Sequence, residues 1–267
     1  MPPVVNETSS KWRLLDQSCD SVFQNLSIEE AIARCYPRSS IPNPTVRLWV
    51  NPRSVVLGRF QDAASEVDTR FCEQNKIELA RRFTGGGAVY HDAGNLNFTV
   101  VSGQNGVDSV GLHESRLSIV VNALLALGME NLFVSGNSVF HRERKVAGSA
   151  AAFGNGFALW HSSILVSTDI RVLEQVLAPS RRMRETHFIR SRWHPVTTVQ
   201  EAVGKSVSIN EVEKRLVESI QEVLNVELVV DRLRSDEAAM FQNLYEVKYS
   251  RVDWNRNGRW EERERAG

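Results

Sequence analysis

The sequence predicts an α/β fold of the α+β type, a mixed sheet flanked by helices. Three observations carry this. Short runs rich in β-branched and aromatic residues recur, among them TVRLWV at 45–50 and SVVLG at 54–58. Apolar residues at helical spacing mark amphipathic helices between such runs. Strands and helices do not alternate regularly, which argues against a doubly wound nucleotide-binding sheet.

In chain order, MPPVVNETSS is polar with no apolar run behind it, so residues 1–10 read as a disordered tail rather than a signal peptide. Ser27 and Glu30 have capping-box spacing ahead of Ala31, Ile32 and Ala33, which predicts a helix starting there. The strands at 45–50 and 54–58 flank the turn Asn51-Pro52-Arg53. Glu66 to Lys76 is a second, charged helix candidate. Ala88 to Ser102 reads as two strands around a turn from His91 to Asn95. Leu117, Val120, Val121, Leu124 and Leu127 recur at helical spacing, with Gly128 as the stop. Lys145 to Phe153 and Phe157 to Val166 read as paired strands joined by Gly154-Asn155-Gly156. Ser208 and Glu211 repeat the capping-box spacing, and Val212, Leu216, Ile220, Val223 and Leu224 form a buried helical face. VELVV is a short strand and Asp236 to Tyr249 the final helix. The charged end RNGRWEERERAG reads as a tail, leaving one domain over 11–255 and a polar segment over 256–267.

Bulk properties exclude several classes. Thirty-two basic and 32 acidic side chains give a formal charge of +0, so no global field draws in nucleic acid or an anionic membrane. No apolar run is long enough to span a bilayer. Cys19, Cys35 and Cys72 lack metal-type spacing and read as reduced structural thiols of a cytoplasmic protein. There is no HExxH, CxxC or GxSxG, so neither a structural zinc nor a serine-hydrolase elbow is expected, and no metal ligand is assigned.

Chemistry-bearing residues cluster in a few places. Gly85, Gly86 and Gly87 follow Arg81-Arg82 and precede His91-Asp92. Successive glycines let backbone N–H groups face an anion, and a guanidinium beside them can hold a phosphate or carboxylate. Neighbours on a strand point to opposite faces, so one of the two arginines is expected to face the site. Lys145 opens KVAGSAAAF, whose small residues permit close ligand approach; on the residues alone, an exposed strand-edge lysine is the commoner reading. His161, like His91, reads on the residues alone as a satisfied core histidine. Five arginines between Arg181 and Arg192 read as a solvated face, with an anion-contacting loop or a docking strip as the alternatives.

The run ARRFTGGGAVYHDAGNLNFTVV resembles the lipoate–protein ligase signature, Arg-Arg-x-Ser/Thr-Gly-Gly-Gly-Ala-Val-Tyr/Phe-His-Asp-x-Gly. KVAGSAAAF and ALWHSSILV are similar to the family's lysine strand and later histidine strand, and EVKYSRVDWN to its Lys-Tyr-Ser-x-x-Trp ending. The resemblance implies the mixed-sheet catalytic domain shared by biotin and lipoate ligases. It implies condensation of lipoate with ATP, assisted by Mg2+, to lipoyl-AMP and pyrophosphate. The lipoyl group then passes to one lysine of an acceptor domain, on an E2 subunit of a 2-oxoacid dehydrogenase or the glycine cleavage H protein. By motif position, Arg82 would contact the nucleotide. Gly87, Ala88, Val89 and Tyr90 would line the adenylate and acyl pocket, with Gly85 and Gly86 completing a thin wall. Lys145 would hold the lipoyl carboxyl oxygen and the α-phosphate, promoted from the surface reading. Gly148 and Ala150 would give room beside it, His161 would lie near the lipoyl chain or the acceptor, and His91 and Asp92 become turn and scaffold residues. Asn137-Ser138 stands where many members have Asn-Asp, which bears on Mg2+ binding. The chain ends soon after Asn255, so the short catalytic type, working with a separate small accessory protein, is expected. Octanoyltransferases need a cysteine nucleophile downstream of the lysine, and none follows Cys72. A lipoyltransferase using preformed lipoyl-AMP and a non-catalytic binding protein are the alternatives.

Overall fold

The computed structural model describes residues 10–39, 42–104, 109–177 and 191–260. The expected tails, up to residue 9 and from residue 261, lie outside the described residues, as do the arginines from Arg181 to Arg190. The strands are β1 (Ser10–Leu15), β2 (Thr45–Trp49), β3 (Ser54–Leu57), β4 (Glu78–Arg81), β5 (Val89–His91), β6 (Asn95–Ser102), β7 (Leu132–Ser135), β8 (Ser138–His141), β9 (Arg144–Gly154), β10 (Phe157–Leu165) and β11 (Val226–Val230). The helices are α1 (Val22–Cys35), α2 (Ala63–Glu66), α3 (Thr69–Gln74), α4 (Ser109–Leu125), α5 (Ile170–Val176), α6 (Val199–Val203), α7 (Ile209–Leu224), α8 (Ser235–Leu244) and α9 (Val252–Asn257), with a π-helical turn at Tyr245–Tyr249.

Eight strands form a mixed sheet in the order β11-β1-β2-β6-β10-β9-β8-β7, and β4-β3-β5 form a second, small sheet. β1 runs parallel to both its neighbours, whereas the pairs from β2 to β7 are antiparallel. Side chains of a strand alternate between faces. Leu96, Phe98 and Val100 of β6, with Val46, Leu48 and Trp160, therefore join one core under α4 and α7. The intervening Asn97 and Thr99 line up with Trp49, Arg47, His161 and Ser163 on the opposite face. That second face meets α1 and the small sheet, and the polar residues gather there.

Several sequence expectations are met by these elements. β9 and β10 pair antiparallel across Gly154 to Phe157. Ser208 and Glu211 form a true capping box on α7, and Gly128 follows α4 with a positive φ of 90°. Others are corrected. α1 begins at Val22, capped by Ser21, whose side chain accepts from the Gln24 N–H. Ser27 and Glu30 lie inside that helix: Ser27 donates to the Phe241 carbonyl and Glu30 receives Lys248. Buried tertiary partners there imitate the spacing of a local cap. The expected helix from Glu66 to Lys76 is two short ones, because Asp62 and Asp68 each cap a separate turn. The two strands expected around Asp92 to Gly94 do form, as β5 and β6, and they lie in different sheets, β5 pairing with β3 and β6 with β2 and β10. The final helix ends at Tyr249 as expected, but its last five residues are a π-helical turn, and a further short helix, α9, follows it. Among the described residues no helix is long and apolar enough to cross a membrane, and all three cysteines are free.

Candidate active site

Register across the large sheet builds the floor of a cleft. One row runs Trp49, Asn97, Ser163, Gly148; the next runs Arg47, Thr99, His161, Ala150. Val56 and Val89 of the small sheet and the glycine loop close the cleft from the other side. Two chambers open between them. The narrow one has a volume of about 380 Å³ and includes Leu26, Trp49 and Val56 in its wall. The wide one, about 610 Å³, has a more apolar wall that includes Tyr90, Leu165, Leu173 and Trp193. Ala88, Val89, Lys145, Gly148 and Ser163 border both, as do Ser191, Arg192 and His194, so Lys145 stands on the boundary between the chambers.

A β-bulge puts Lys145 there. Val139 pairs with Ala147, but its neighbour Phe140 pairs with Lys145, so Val146 is the extra residue. Val146 and Ala147 are both buried in the α4/α7 core. Strict alternation from Gly148 would have turned Lys145 away from the cleft; the bulge restores it to the site face. Gly148 makes room: a Cβ there would stand 2.6 Å from the Lys145 Nζ. The ammonium has no hydrogen-bond acceptor or acidic partner among the described residues, and burial, reinforced by Arg82, lowers its pKa below the ordinary lysine range.

Arg82 is buried, and its guanidinium holds the glycine loop. It donates to the Gly85 carbonyl at 2.6 Å, the Gly87 carbonyl at 2.8 Å and the Val56 carbonyl at 3.1 Å. The loop's carbonyls, rather than its N–H groups, are thus the atoms engaged by a charged side chain. Burial pulls the Arg82 pKa down to about 10, which leaves it charged at neutral pH. Gly86, at φ +92°, adopts a backbone conformation that disfavours side chains, and a Cβ there would stand 2.9 Å from the Arg82 Nη2. Beyond Gly87, the Ala88 N–H donates to Ser191 Oγ, which also receives Gln61 Nε2.

Two hydrogen-bond chains run beneath the cleft. In the first, Arg82 Nε donates to Thr84 Oγ1, which lies 2.9 Å from His161 Nε2. His161 Nδ1 is 2.7 Å from Glu29 Oε1, which also receives Thr99 Oγ1. Burial alone would raise the Glu29 pKa; His161 and Thr99 more than offset it, and the carboxyl is held below its ordinary range. In the second chain, Arg47 donates to Asn25 Oδ1, Asn25 Nδ2 to Asn51 Oδ1, and Asn51 Nδ2 to His91 Nδ1. His91 therefore carries its proton on Nε2 and donates to Ser163, which donates to Asn95 Oδ1. Burial, helped by Arg82, drives the His91 pKa down to about 3 and keeps the ring neutral.

Most residues expected at the site are brought together. Arg82, Gly86, Gly87, Ala88 and Val89 line the narrow chamber, as do Lys145, Gly148, Ala150 and His161. Tyr90 lines the wide chamber instead. Gly85 contributes its carbonyl to Arg82. Thr84 links Arg82 to His161, and both side chains line the narrow chamber. His91, expected as a turn residue, ends β5 and lines the cleft. Asp92 is a scaffold residue, accepting from the Gly94 and Asp169 N–H groups.

Sequence reading missed Glu29, Asn51, Thr84, Asn97 and Ser163. Two signals were available: adjacent glutamates inside an otherwise apolar helical stretch, and polar residues alternating with apolar ones in NLNFTV. Asn97 is buried, its carboxamide makes no hydrogen bond among the described residues, and Nδ2 is fully enclosed. For a metal, Asn137 and Ser138 offer only neutral oxygens at the cleft, and no group of three His, Cys, Asp or Glu side chains converges among the described residues. Neutral oxygens alone do not fit a resident divalent cation, but Glu66 and Glu174 on the wall of the wide chamber supply the carboxylates that a cation held together with substrate phosphates takes.

A sequence profile of the lipoyl protein ligase A/B catalytic domain matches residues 21–221. Lipoate-protein ligase A subunit 1 of Thermoplasma acidophilum is 34% identical over 253 residues, which cover 91% of this chain and 95% of the relative. The structure described as a bipartite lipoate protein ligase and its E2 lipoyl domain, from the same organism, superposes with a TM-score of 0.84. It is 33% identical, with coverage of 95% of this chain and 99% of that one. A crystal structure of lipoate-protein ligase A bound with ATP gives a TM-score of 0.81 at 33% identity, covering 93% of this chain and all of that one. With its glycine loop, its lysine bulge and these likenesses over nearly its whole length, the chain belongs to the lipoyl protein ligase A/B catalytic domain family.

Proposed function

We propose that this chain is an ATP-dependent lipoate–protein ligase. The observation that carries the reading is the Lys145 ammonium, which has no protein acceptor among the described residues and stands where the two chambers meet. The narrow chamber suits a slender acyl chain, running from Lys145 toward Leu26, Trp49 and Val56. The wide chamber, with Tyr90 and Trp193, suits the nucleotide. Both ligands are anionic at their reacting ends, so their approach is repulsive, and Lys145 lies between carboxylate and α-phosphate to offset it.

In the first step a carboxylate oxygen attacks the α-phosphorus. The new C–O–P linkage forms, the bond to the β-phosphate bridging oxygen breaks, and pyrophosphate leaves with the electron pair. In the second, an acceptor lysine amine attacks the acyl carbon, the amide forms and AMP departs. No protein nucleophile is required, because the mixed anhydride is already activated. Arg82 acts here by holding the glycine loop, Lys145 by positioning and charge, and Ala150 and Gly148 by leaving space. Mg2+ enters with ATP, as part of the substrate.

The acceptors are lipoyl domains of E2 subunits or the glycine cleavage H protein, and a separate accessory subunit assists. The bipartite Thermoplasma relative, studied with its E2 lipoyl domain, supports this. A cytoplasmic setting keeps the free cysteines reduced. The neutral oxygens of Asn137 and Ser138 favour one second reading, a lipoyltransferase that takes preformed lipoyl-AMP. Purified chain, lipoate, Mg2+, ATP and apo acceptor domain, with and without the accessory subunit, decide between them. Acceptor lipoylation from free lipoate is expected; lipoylation only from supplied lipoyl-AMP would establish the transferase.

A further inference from the structure

Two pairs of sequence neighbours, Glu29-Glu30 and Arg81-Arg82, divide their attention in the same way. Glu29 and Arg82 serve the cleft, as above. Their neighbours turn the other way, because adjacent residues are rotated by about 100° on a helix and by about half a turn on a strand. Both neighbours are gripped by the C-terminal segment.

Glu30 is buried on α1 and receives Lys248 Nζ at 2.7 and 3.0 Å and the Tyr249 hydroxyl. The Lys248 ammonium also lies 4.2 Å from the Trp254 ring centroid and 4.3 Å from that of Trp260, so an aromatic cage fixes it over the carboxylate. Arg81 is buried at the end of β4. Its N–H donates to Asn255 Oδ1, its carbonyl accepts from Trp254 Nε1 at 2.8 Å, and its guanidinium donates to the Trp254 and Arg256 carbonyls. Asn255 Nδ2 in turn donates to the Tyr249 carbonyl at 2.7 Å, tying the two grips into one unit.

The same Arg81 guanidinium reaches forward. It donates to the carbonyls of Gly58 and Gln61 at 2.9 and 2.7 Å. Gly58 lies so close to the Gly86 carbonyl that no Cβ would fit between them. Gln61 bonds the Ser191 hydroxyl, which accepts from the Ala88 N–H. Contacts thus run from the C-terminal segment to the glycine loop, by close backbone packing at Gly86 and by hydrogen bonds at Ala88.

We propose that the C-terminal segment from Tyr245 to Trp260 is a positioning element of the reaction site, holding Glu29 and Arg82 in place through Glu30 and Arg81. Lys248, Tyr249, Trp254 and Asn255 are its positioning residues. None of them lines either chamber, so they act only through the neighbours they hold. This inference rests on the ligase reading for its kinetic consequence and on the geometry alone for its mechanical one.

The test follows amide hydrogen exchange over 82–90 and lipoyl-AMP formation in the full chain. Trp254→Phe keeps the ring and removes one bond to Arg81; Asn255→Ala removes another; Asn255→Asp keeps the acceptor for the Arg81 N–H. Each lost bond is expected to speed exchange over 82–90 and to slow lipoyl-AMP formation, by roughly tenfold in each case. Asn255→Asp, which loses the donor to the Tyr249 and Arg251 carbonyls, should restore neither. Leu216→Val, in the α7 core, serves as a control that lowers the melting temperature without touching the segment, and should leave 82–90 exchange unchanged. Wild-type exchange in Trp254→Phe and Asn255→Ala, or equal acceleration in Leu216→Val, would overturn the proposal. If the wild-type chain with its accessory subunit forms no lipoyl-AMP, the ligase reading fails, while the exchange comparison still decides this inference.

Discussion

At the scale of single residues, most polar groups of the site have partners, and two that have none among the described residues carry the sharpest predictions. Lys145 is the first. Replacing it with Met removes the charge at the meeting point of two anions, and lipoyl-AMP formation should fall by about two to three orders of magnitude with the fold intact. Near-wild-type pyrophosphate release from Lys145→Met would remove the lysine from the mechanism. Its lowered pKa also sets a limb: the wild-type rate should decline on the alkaline side at a pH below 10.5. Asn97 is the second. Asn97→Leu removes a buried, unsatisfied amide from the floor of the narrow chamber. The variant should be more stable to urea by about 1 kcal/mol and bind lipoate more weakly; a loss of stability would show that the amide is satisfied. His91 makes a third case. Folding keeps it neutral down to about pH 3, so the unfolded chain takes up its proton first, near pH 6.5. Its stabilising contribution is complete above that pH. It is lost, at about 1.4 kcal/mol per pH unit, as pH falls toward 3. Urea unfolding at pH 7 and 5 should show a steeper loss for wild type than for His91→Gln; equal slopes would contradict the buried, neutral assignment.

At the scale of elements, local and tertiary causes separate clearly. Ser208→Ala breaks a solvent-exposed capping box on α7 and should cost about 1 kcal/mol in thermal or urea unfolding. Ser27 and Glu30 have the same spacing, yet they mark no helix start, because their partners are Phe241 and Lys248, more than two hundred residues away. Spacing alone cannot distinguish a cap from two buried side chains with distant partners. β6 was more legible. Its alternation of Asn and Thr with Leu, Phe and Val already sorts a core face from a cleft face. The bulge at Val146 was not legible, since VAGSAAA is small throughout, with Ser149 its one polar side chain, and carries no period-2 signal to break. For that reason Lys145 looked like a surface residue until the family motif was considered. The π-helical turn at Tyr245–Tyr249 was not legible either, because the sequence pattern continues through it, while the turn serves the contacts to Glu30.

At the scale of the whole molecule, the large sheet separates two tasks. One face packs on α4 and α7 and supplies the apolar core. The other carries the polar rows that become the cleft floor, closed by α1, the small sheet and the glycine loop. The class of fold was readable from element types, but the assignment of β3 and β5 to a separate sheet was not, because each is only three or four residues long and pairs across the chain. Activation of lipoate by ATP at Lys145 is the central claim, and lipoate-dependent exchange of labelled pyrophosphate into ATP tests it most directly. With the accessory subunit present, the wild-type chain should catalyse exchange that requires lipoate and disappears in Lys145→Met. Exchange that ignores lipoate, or its complete absence in a chain that still transfers from supplied lipoyl-AMP, would contradict the account.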